Sequence, residues 1–385
     1  MDNCTTYIAM DTHKKQHAVA VLDRKTGEIR QFSVQNTIKD ISKMVKRIAR
    51  EAPATLKFCY EAGVCGFTLQ RRIEKMGHQC IVIAPSLVPV KPGDRIKTDR
   101  RDAKKLLVHF AAGQLTEVYP PNAEQEAARD LTRVRYSAMV NLKRSRHQLQ
   151  KFLTRNGYIY NTGKNWTQKH QQWLRALEFD QPDLREVFEL YYVEWQHCIQ
   201  RLDTLDNQLE QLAQRPEYRQ AVGLLRCFKG IDTLTAITLI TEIFEFGRFE
   251  SPKALMSYLG LTPSQYSSGE RRQLGAITKT GNSLVRRLLA ESSWHSRHRP
   301  GIGKELKRRR KGQPQWAIDI ADRAMLRLHQ RFWRLTRQGK PQNKAVIAVA
   351  REFAGFIWAM MRQHQSQDKS QRVSRHTGSA QVKTA

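Results

Sequence analysis

The chain has 385 residues, with 66 Lys and Arg against 36 Asp and Glu, a formal net charge of +30. A surface this positive repels itself unless a polyanion lies against it, so a nucleic-acid partner with steeply salt-dependent binding is expected. The 40% hydrophobic and 8% aromatic content excludes wholesale disorder, and the length accommodates two or three domains. A lipid surface is the other polyanion, but the sequence does not support it. The first residues lack a signal-peptide layout. The most apolar late stretch, Ala345 to Met361, contains Arg351 and Glu352 and falls short of the about 20 residues that span a bilayer. A soluble, cytoplasmic protein is expected. Cys4, Cys59, Cys65, Cys80, Cys198 and Cys227 form no CxxC pair, which suits reduced thiols.

Residues 1–122 read as alternating strands and helices. Tyr7–Met10 is a short strand ending at Asp11, His17–Asp23 alternates into a turn at Lys25-Thr26-Gly27, and Ile29–Val34 closes an antiparallel meander. Asn36–Ala52 predicts a helix with Ile38, Ile41, Met44, Val45 and Ile48 on one face. Leu56–Tyr60 is a strand with Glu61 at its end, Phe67–Met76 a helix stopped by Gly77, and Cys80–Ala84 a fifth strand bounded by Pro85. A charged helix follows from Asp99 to Ala112.

Residues 123–221 read as wholly helical. Leu184, Phe188, Tyr191, Trp195, Cys198, Leu202, Leu205, Leu209 and Leu212 alternate in spacings of four and three, a coiled-coil seam. A leakier seam on Glu124–Arg155 completes a helical hairpin, with Asn156–Gln172 as its tip. The hairpin serves as a spacer or self-association surface, or contacts nucleic acid directly. Residues 222–362 form a mainly helical third part. It opens on Phe228-Lys229-Gly230-Ile231-Asp232, which matches the turn of a helix-hairpin-helix and would aim backbone N–H groups at a phosphate. Residues 363–385 are polar without apolar periodicity and are expected to form a flexible basic tail.

Asp11 and Glu61 each end a strand, while Asp99 and Asp102 are three apart and share a helix face. In a sheet of this order the first and fourth strands are neighbours, so the four acids could converge. Like charges raise each other's pKa, and hard divalent cations such as Mg²⁺ or Mn²⁺ offset that repulsion. Asp99 and Asp102 also stand among Arg95, Lys97, Arg100, Arg101, Lys104 and Lys105, so ordinary helix ion pairs are the competing reading. The β-β-β-α-β arrangement with acids at these ends is similar to the ribonuclease-H-like core of RuvC-type nucleases.

Two strings carry a more specific resemblance. The first comprises Asp11-Thr12-His13-Lys14, Glu61-Ala62-Gly63 and Lys97-Thr98-Asp99-Arg100-Arg101-Asp102-Ala103. The second comprises Tyr258-Leu259-Gly260-Leu261-Thr262-Pro263, Ser267-Ser268-Gly269, Ile277-Thr278-Lys279-Thr280-Gly281-Asn282 and Arg286-Arg287-Leu288-Leu289. Together, over roughly residues 5–300, they resemble the DEDD transposases of the insertion-sequence-110 family. The resemblance implies a RuvC-like N-terminal domain in which Asp11, Glu61, Asp99 and Asp102 bind Mg²⁺ or Mn²⁺. It implies a nucleophilic serine, Ser268 with Ser267 as the adjacent alternative, in a C-terminal transposase domain. It also implies a bridge RNA that guides recombination of donor and target double-stranded DNA, and assembly as a dimer of dimers.

Arg271, Arg272, Lys279 and Arg287 follow the serine and are candidates for phosphate contact. So is the run from Arg297 through Lys307, Arg308, Arg309 and Arg310 to Lys311, flanked by Trp294 and Trp316, both expected to be core. Two other classes compete. A metal-dependent junction nuclease would hydrolyse with water and leave Ser268 structural. An actin-like ATP-binding protein shares the strand order but wants glycines in its phosphate loop, and none occurs between Asp11 and Thr26. A purely architectural basic protein leaves the four acids unexplained.

Overall fold

The computed structural model describes residues 5–23, 26–52, 55–89, 98–268 and 271–381. Two compact units divide the chain, Met1–Asn122 and Ala123–Ala385. The fold is mixed α/β and mostly helical, with a central sheet in the first unit. No helix among the described residues is long and apolar enough to cross a membrane. Cys59, Cys65, Cys80, Cys198 and Cys227 are unpaired thiols.

The first unit runs β1 (Thr5–Thr12), β2 (Gln16–Leu22), β3 (Ile29–Gln35), α1 (Ile38–Glu51), β4 (Thr55–Glu61), α2 (Thr68–Lys75), β5 (Gln79–Ile83) and α3 (Asp99–Ala111). The sheet order is β3-β2-β1-β4-β5. The β1–β2 and β2–β3 pairs are antiparallel, and β1–β4 and β4–β5 are parallel. The strand period of two sorts side chains onto two unlike faces. Ile8, Met10, Val19, Val21, Leu56, Phe58 and Tyr60 pack with Ile41, Met44, Val45 and Ile48 of α1 and Leu69 and Ile73 of α2. The opposite face carries small residues, Ala9, Ala18, Ala20 and Cys59, and α3 lies on it through Ala103, Leu106 and Leu107. Small side chains let a helix backbone approach a sheet closely. The Gln31 amide on β3 donates to the Arg100 carbonyl at 2.8 Å and pins the start of α3.

The second unit begins with α4 (Ala123–Arg155), α5 (Gln168–Arg175) and α6 (Pro182–Gln214). All nine seam positions on α6 are buried or half-buried. The distal parts of α4 and α6 share a core with α5 through Leu142, Leu149, Phe152, Leu174, Phe188 and Trp195. Their proximal parts enter the main core through Ala128, Leu209 and Leu212. That core is completed by α7 (Pro216–Leu225), α8 (Thr233–Ile243), α9 (Pro252–Tyr258), α10 (Ser283–Ser293), α11 (Lys304–Arg310), α12 (Gln315–Arg337) and α13 (Gln342–Gln381). Trp294 and Trp316 are half-buried against it.

Two features differ from the sequence reading. A β-hairpin, β6 (Pro263–Ser268) with β7 (Arg271–Ile277), interrupts the helical third part. Among its described side chains Tyr266 is 79% and Leu274 53% exposed, so the hairpin buries no apolar face that a core pattern would mark. The backbone of α13 also continues to Gln381, across residues read as a flexible tail. No proline interrupts that stretch, so nothing local forces the helix to stop.

The base of the hairpin is tightly built. Gly260 and Gly281 have φ of +63° and +68°, and a Cβ on either would strike the backbone of Thr280 or Tyr258. Arg286 donates to the carbonyls of Leu259 and Thr280 at 3.0 and 2.8 Å. Asn282 caps α10 by accepting from the Val285 N–H and donates to the buried Glu242 carboxylate at 2.6 Å. Arg133 of α4 forks onto the same carboxylate at 2.8 and 2.9 Å.

The small-residue face is testable. Ala9→Leu is expected to lower unfolding stability by about 1–3 kcal/mol, because α3 must move outward. Urea denaturation of the full chain measures it. An unchanged midpoint would mean that close approach of α3 is not required.

Candidate metal centre

Strand pairing brings the first two acids level. Met10 pairs with Tyr60 in the parallel β1–β4 register, so the next residues, Asp11 and Glu61, end adjacent strands. Both have the parity of Ala9 and Cys59 and therefore belong to the face that α3 covers. Thr98 caps α3, its hydroxyl accepting from the Arg101 N–H, and Asp99 and Asp102 occupy the first turn. That position complements the partial positive charge of a helix N-terminus.

Asp11 and Asp99 converge on His13. The imidazole Nε2 is 3.3 Å from Asp11 Oδ2 and 3.5 Å from Asp99 Oδ1. One donor atom from each of Asp11, His13 and Asp99 lies within 4.8 Å of the others. Burial raises the Asp11 pKa, the charges on Asp99 and Asp102 raise it further, and His13 opposes both. Asp102 is thus within electrostatic reach, and Glu61 ends the neighbouring strand outside the tight group of three. His13 did not figure among the sequence candidates. Only its nearness to Asp11, two residues away along extended chain, was legible in the sequence; its approach to Asp99 was not. The donor set fits a hard divalent cation: carboxylate oxygens suit Mg²⁺ or Mn²⁺, and an unprotonated His13 could add one nitrogen. Such an ion would neutralise the crowded acids and would supply Lewis-acid polarisation of a phosphate oxygen.

The other candidates fall in the second unit. Ser268 is the last residue of β6 and pairs with Arg271 across the hairpin. The side chains of Ser267, Ser268, Arg271 and Arg272, together with Gly269 and Lys97, lie outside the described residues. Lys279 follows the hairpin on an exposed turn with φ of +57°. Arg287 donates through Nε to Glu291 at 2.7 Å, with its guanidinium over the Tyr136 ring. Lys307 is exposed, and Arg308 is exposed beside Glu305. Arg309 is half-buried and donates to the Ile231 carbonyl at the turn between α7 and α8. Arg310 corrects the sequence reading. It is 6% exposed, donates to the Cys227 carbonyl at 3.0 Å and pairs with Asp322 at 2.7 Å. A guanidinium is removed from water only when paired, so Arg310 holds α11 to the core and is not open to phosphate.

The raised Asp11 pKa gives a signed prediction. A carboxyl whose folded pKa exceeds its unfolded value binds more protons when folded, so its contribution to stability falls as pH rises through that window. Asp11→Asn removes the term. In metal-free buffer at neutral pH the variant is expected to melt slightly higher, on the order of 1–2 °C. Its advantage should vanish below pH 4. A lower melting temperature at pH 7 would mean that the acids are not mutually repulsive.

The chain matches two family profiles. One, described as Transposase and belonging to the DEDD group, covers residues 8–156. The other, described as Transposase IS116/IS110/IS902 family, covers residues 222–307. The Sinorhizobium fredii protein y4qE, provisionally designated a transposase, is 38% identical over 359 residues, 93% of this chain and 88% of the relative. The transposase for insertion sequence element IS1533 of Leptospira borgpetersenii is 33% identical over 346 residues, 89% and 98% of the two chains. The pilin gene-inverting protein of Moraxella bovis is 23% identical over 280 residues, 72% and 70% of the two. With strand-end and helix-start acids on one sheet face and relatives matched along most of its length, the chain belongs to the IS110 family of insertion-sequence transposases.

Proposed function

We propose that the protein is an RNA-guided DNA recombinase of an insertion sequence, with a RuvC-like metal centre and a serine nucleophile. The observation that carries the reading is the approach of Asp11 and Asp99 to a common point beside His13. Asp11, Glu61, Asp99 and Asp102 hold one or two Mg²⁺ or Mn²⁺ ions. The Oγ of Ser268 attacks phosphorus, the bond to the 3′ oxygen breaks, and the hydroxyl proton passes to that departing oxygen, which leaves as a free 3′-OH. The resulting phosphoserine ester conserves the bond energy for rejoining, without ATP. Support for rejoining over hydrolysis comes from the Moraxella relative, whose name describes gene inversion, since inversion leaves DNA that has been resealed.

The charge of +30 suits a chain that holds a guide RNA and donor and target duplexes together. Arg271, Arg272, Lys279, Arg287, Lys307, Arg308 and the half-buried Arg309 are the proposed phosphate contacts. Protomers assemble as a dimer of dimers, so the serine can complete the metal centre of another copy.

Three measurements test these assignments. Ser268→Ala is expected to abolish both strand exchange and the protein–DNA adduct on denaturing gels; persistence of the adduct would remove Ser268 as nucleophile. Asp11→Asn is expected to reduce cleavage to background while RNA binding is retained. Sequencing RNA that copurifies with the protein should return one discrete species with two internal loops. Cleavage with no such RNA would favour the junction-nuclease reading.

A further inference from the structure

Beyond the residues singled out in the sequence, α12 presents a second basic surface. Arg323, Arg327, Gln330, Arg334 and Arg337 recur at spacings of four and three and are all exposed, so they form one stripe along the helix. At 1.5 Å per residue the stripe spans about 21 Å. Arg327 and Arg331 share a single carboxylate, Glu352, at 3.1 and 3.0 Å, which leaves one positive charge of that pair uncompensated. Arg323, Arg334 and Arg337 have no ion-pair partner among the described residues.

An aromatic ring stands beside the stripe. Trp333 is 38% exposed, yet its indole N–H donates to the Arg297 carbonyl at 3.1 Å and the ring packs edge-on to Phe332. The ring is therefore held in one orientation while part of it faces solvent. Trp333, Arg327, Arg331, Arg334 and Arg337 line an open groove of about 560 Å³. A fixed, partly exposed indole beside the unpaired guanidiniums of Arg334 and Arg337 is poorly explained by packing. It matches what an unpaired base and its phosphates require, a stacking platform and a cationic track. Duplex DNA offers phosphates to the arginines but keeps its base faces stacked.

We infer that the α12 face is a binding site for single-stranded nucleic acid, with a base stacked on Trp333 and the backbone along Arg334 and Arg337. The site is independent of the carboxylate cluster and stands whether or not the metal reading holds.

The test uses the full chain and 5-iodouracil-substituted oligo(U), oligo(dT) and a duplex of equal length. Photocrosslinking is expected to attach both single strands to Trp333. Trp333→Ala should weaken single-strand binding roughly tenfold and leave duplex binding unchanged, and Trp333→Phe should restore most of the loss. The double variant Arg334→Gln/Arg337→Gln, at two exposed positions, should lower the salt slope for single strands by about 1.4. Tighter binding of oligo(U) would assign the strand to RNA, and tighter binding of oligo(dT) to a DNA strand; either supports the site. Crosslinks confined to other residues, or equal losses for single strand and duplex in Trp333→Ala, would overturn it. So would an unchanged salt slope in the arginine variant, even if Trp333→Ala misfolds.

Discussion

Mutual repulsion of carboxylates at one end of the central sheet is the constraint around which the first unit is arranged. Asp11 is three-quarters buried with Asp99 and Asp102 nearby, and its pKa is raised by that burial and by those charges. Such a cluster costs folding energy unless something opposes it. Two features of the chain do so: His13 sits between Asp11 and Asp99, and both helical acids lie at the positive end of α3. A bound cation would oppose it far more strongly, so the stability given up by the metal-free fold becomes affinity for metal. The small residues Ala9, Ala18, Ala20 and Cys59 belong to the same arrangement, since bulkier ones would hold α3 and its acids away from Asp11.

Much of this was legible in the sequence, because the relevant signals are local. Alternation in β1 and β4 fixes which face Asp11 and Glu61 occupy, and the spacing of Asp99 and Asp102 fixes theirs. The strand order follows from three short strands close in sequence and two reached through helices. What escaped was chemistry that depends on register or burial. His13 lies one residue beyond β1, so its reach to Asp99 depends on where α3 begins. The β6–β7 hairpin leaves Tyr266 and Leu274 exposed and has no core-facing period to betray it. Arg310 looked like its neighbours in a basic run. Only the helical phase of α11, which puts it one turn after the buried Leu306, reveals that it faces inward.

The second unit shows how family-like strings divide between fold and chemistry. Gly260, Gly281, Asn282 and Arg286 build the base from which the hairpin projects, and Glu242 ties that base to α4 through Arg133. These residues shape the support of Ser268, and Ser268 itself ends β6. The excess positive charge is likewise divided. Part is spent internally, as in the Arg310–Asp322 pair, and part remains on the surface at Lys279, Lys307 and along α12. Net charge alone could not distinguish the two.

The proposed divalent-metal centre depends on α3 and the sheet bringing Asp11 and Asp99 to one ion. Anomalous diffraction from crystals of the full chain soaked in Mn²⁺ tests it most directly. A peak bonded to both carboxylates at about 2.1 Å is predicted. Well-ordered crystals with a manganese peak only elsewhere, or with none, would contradict it.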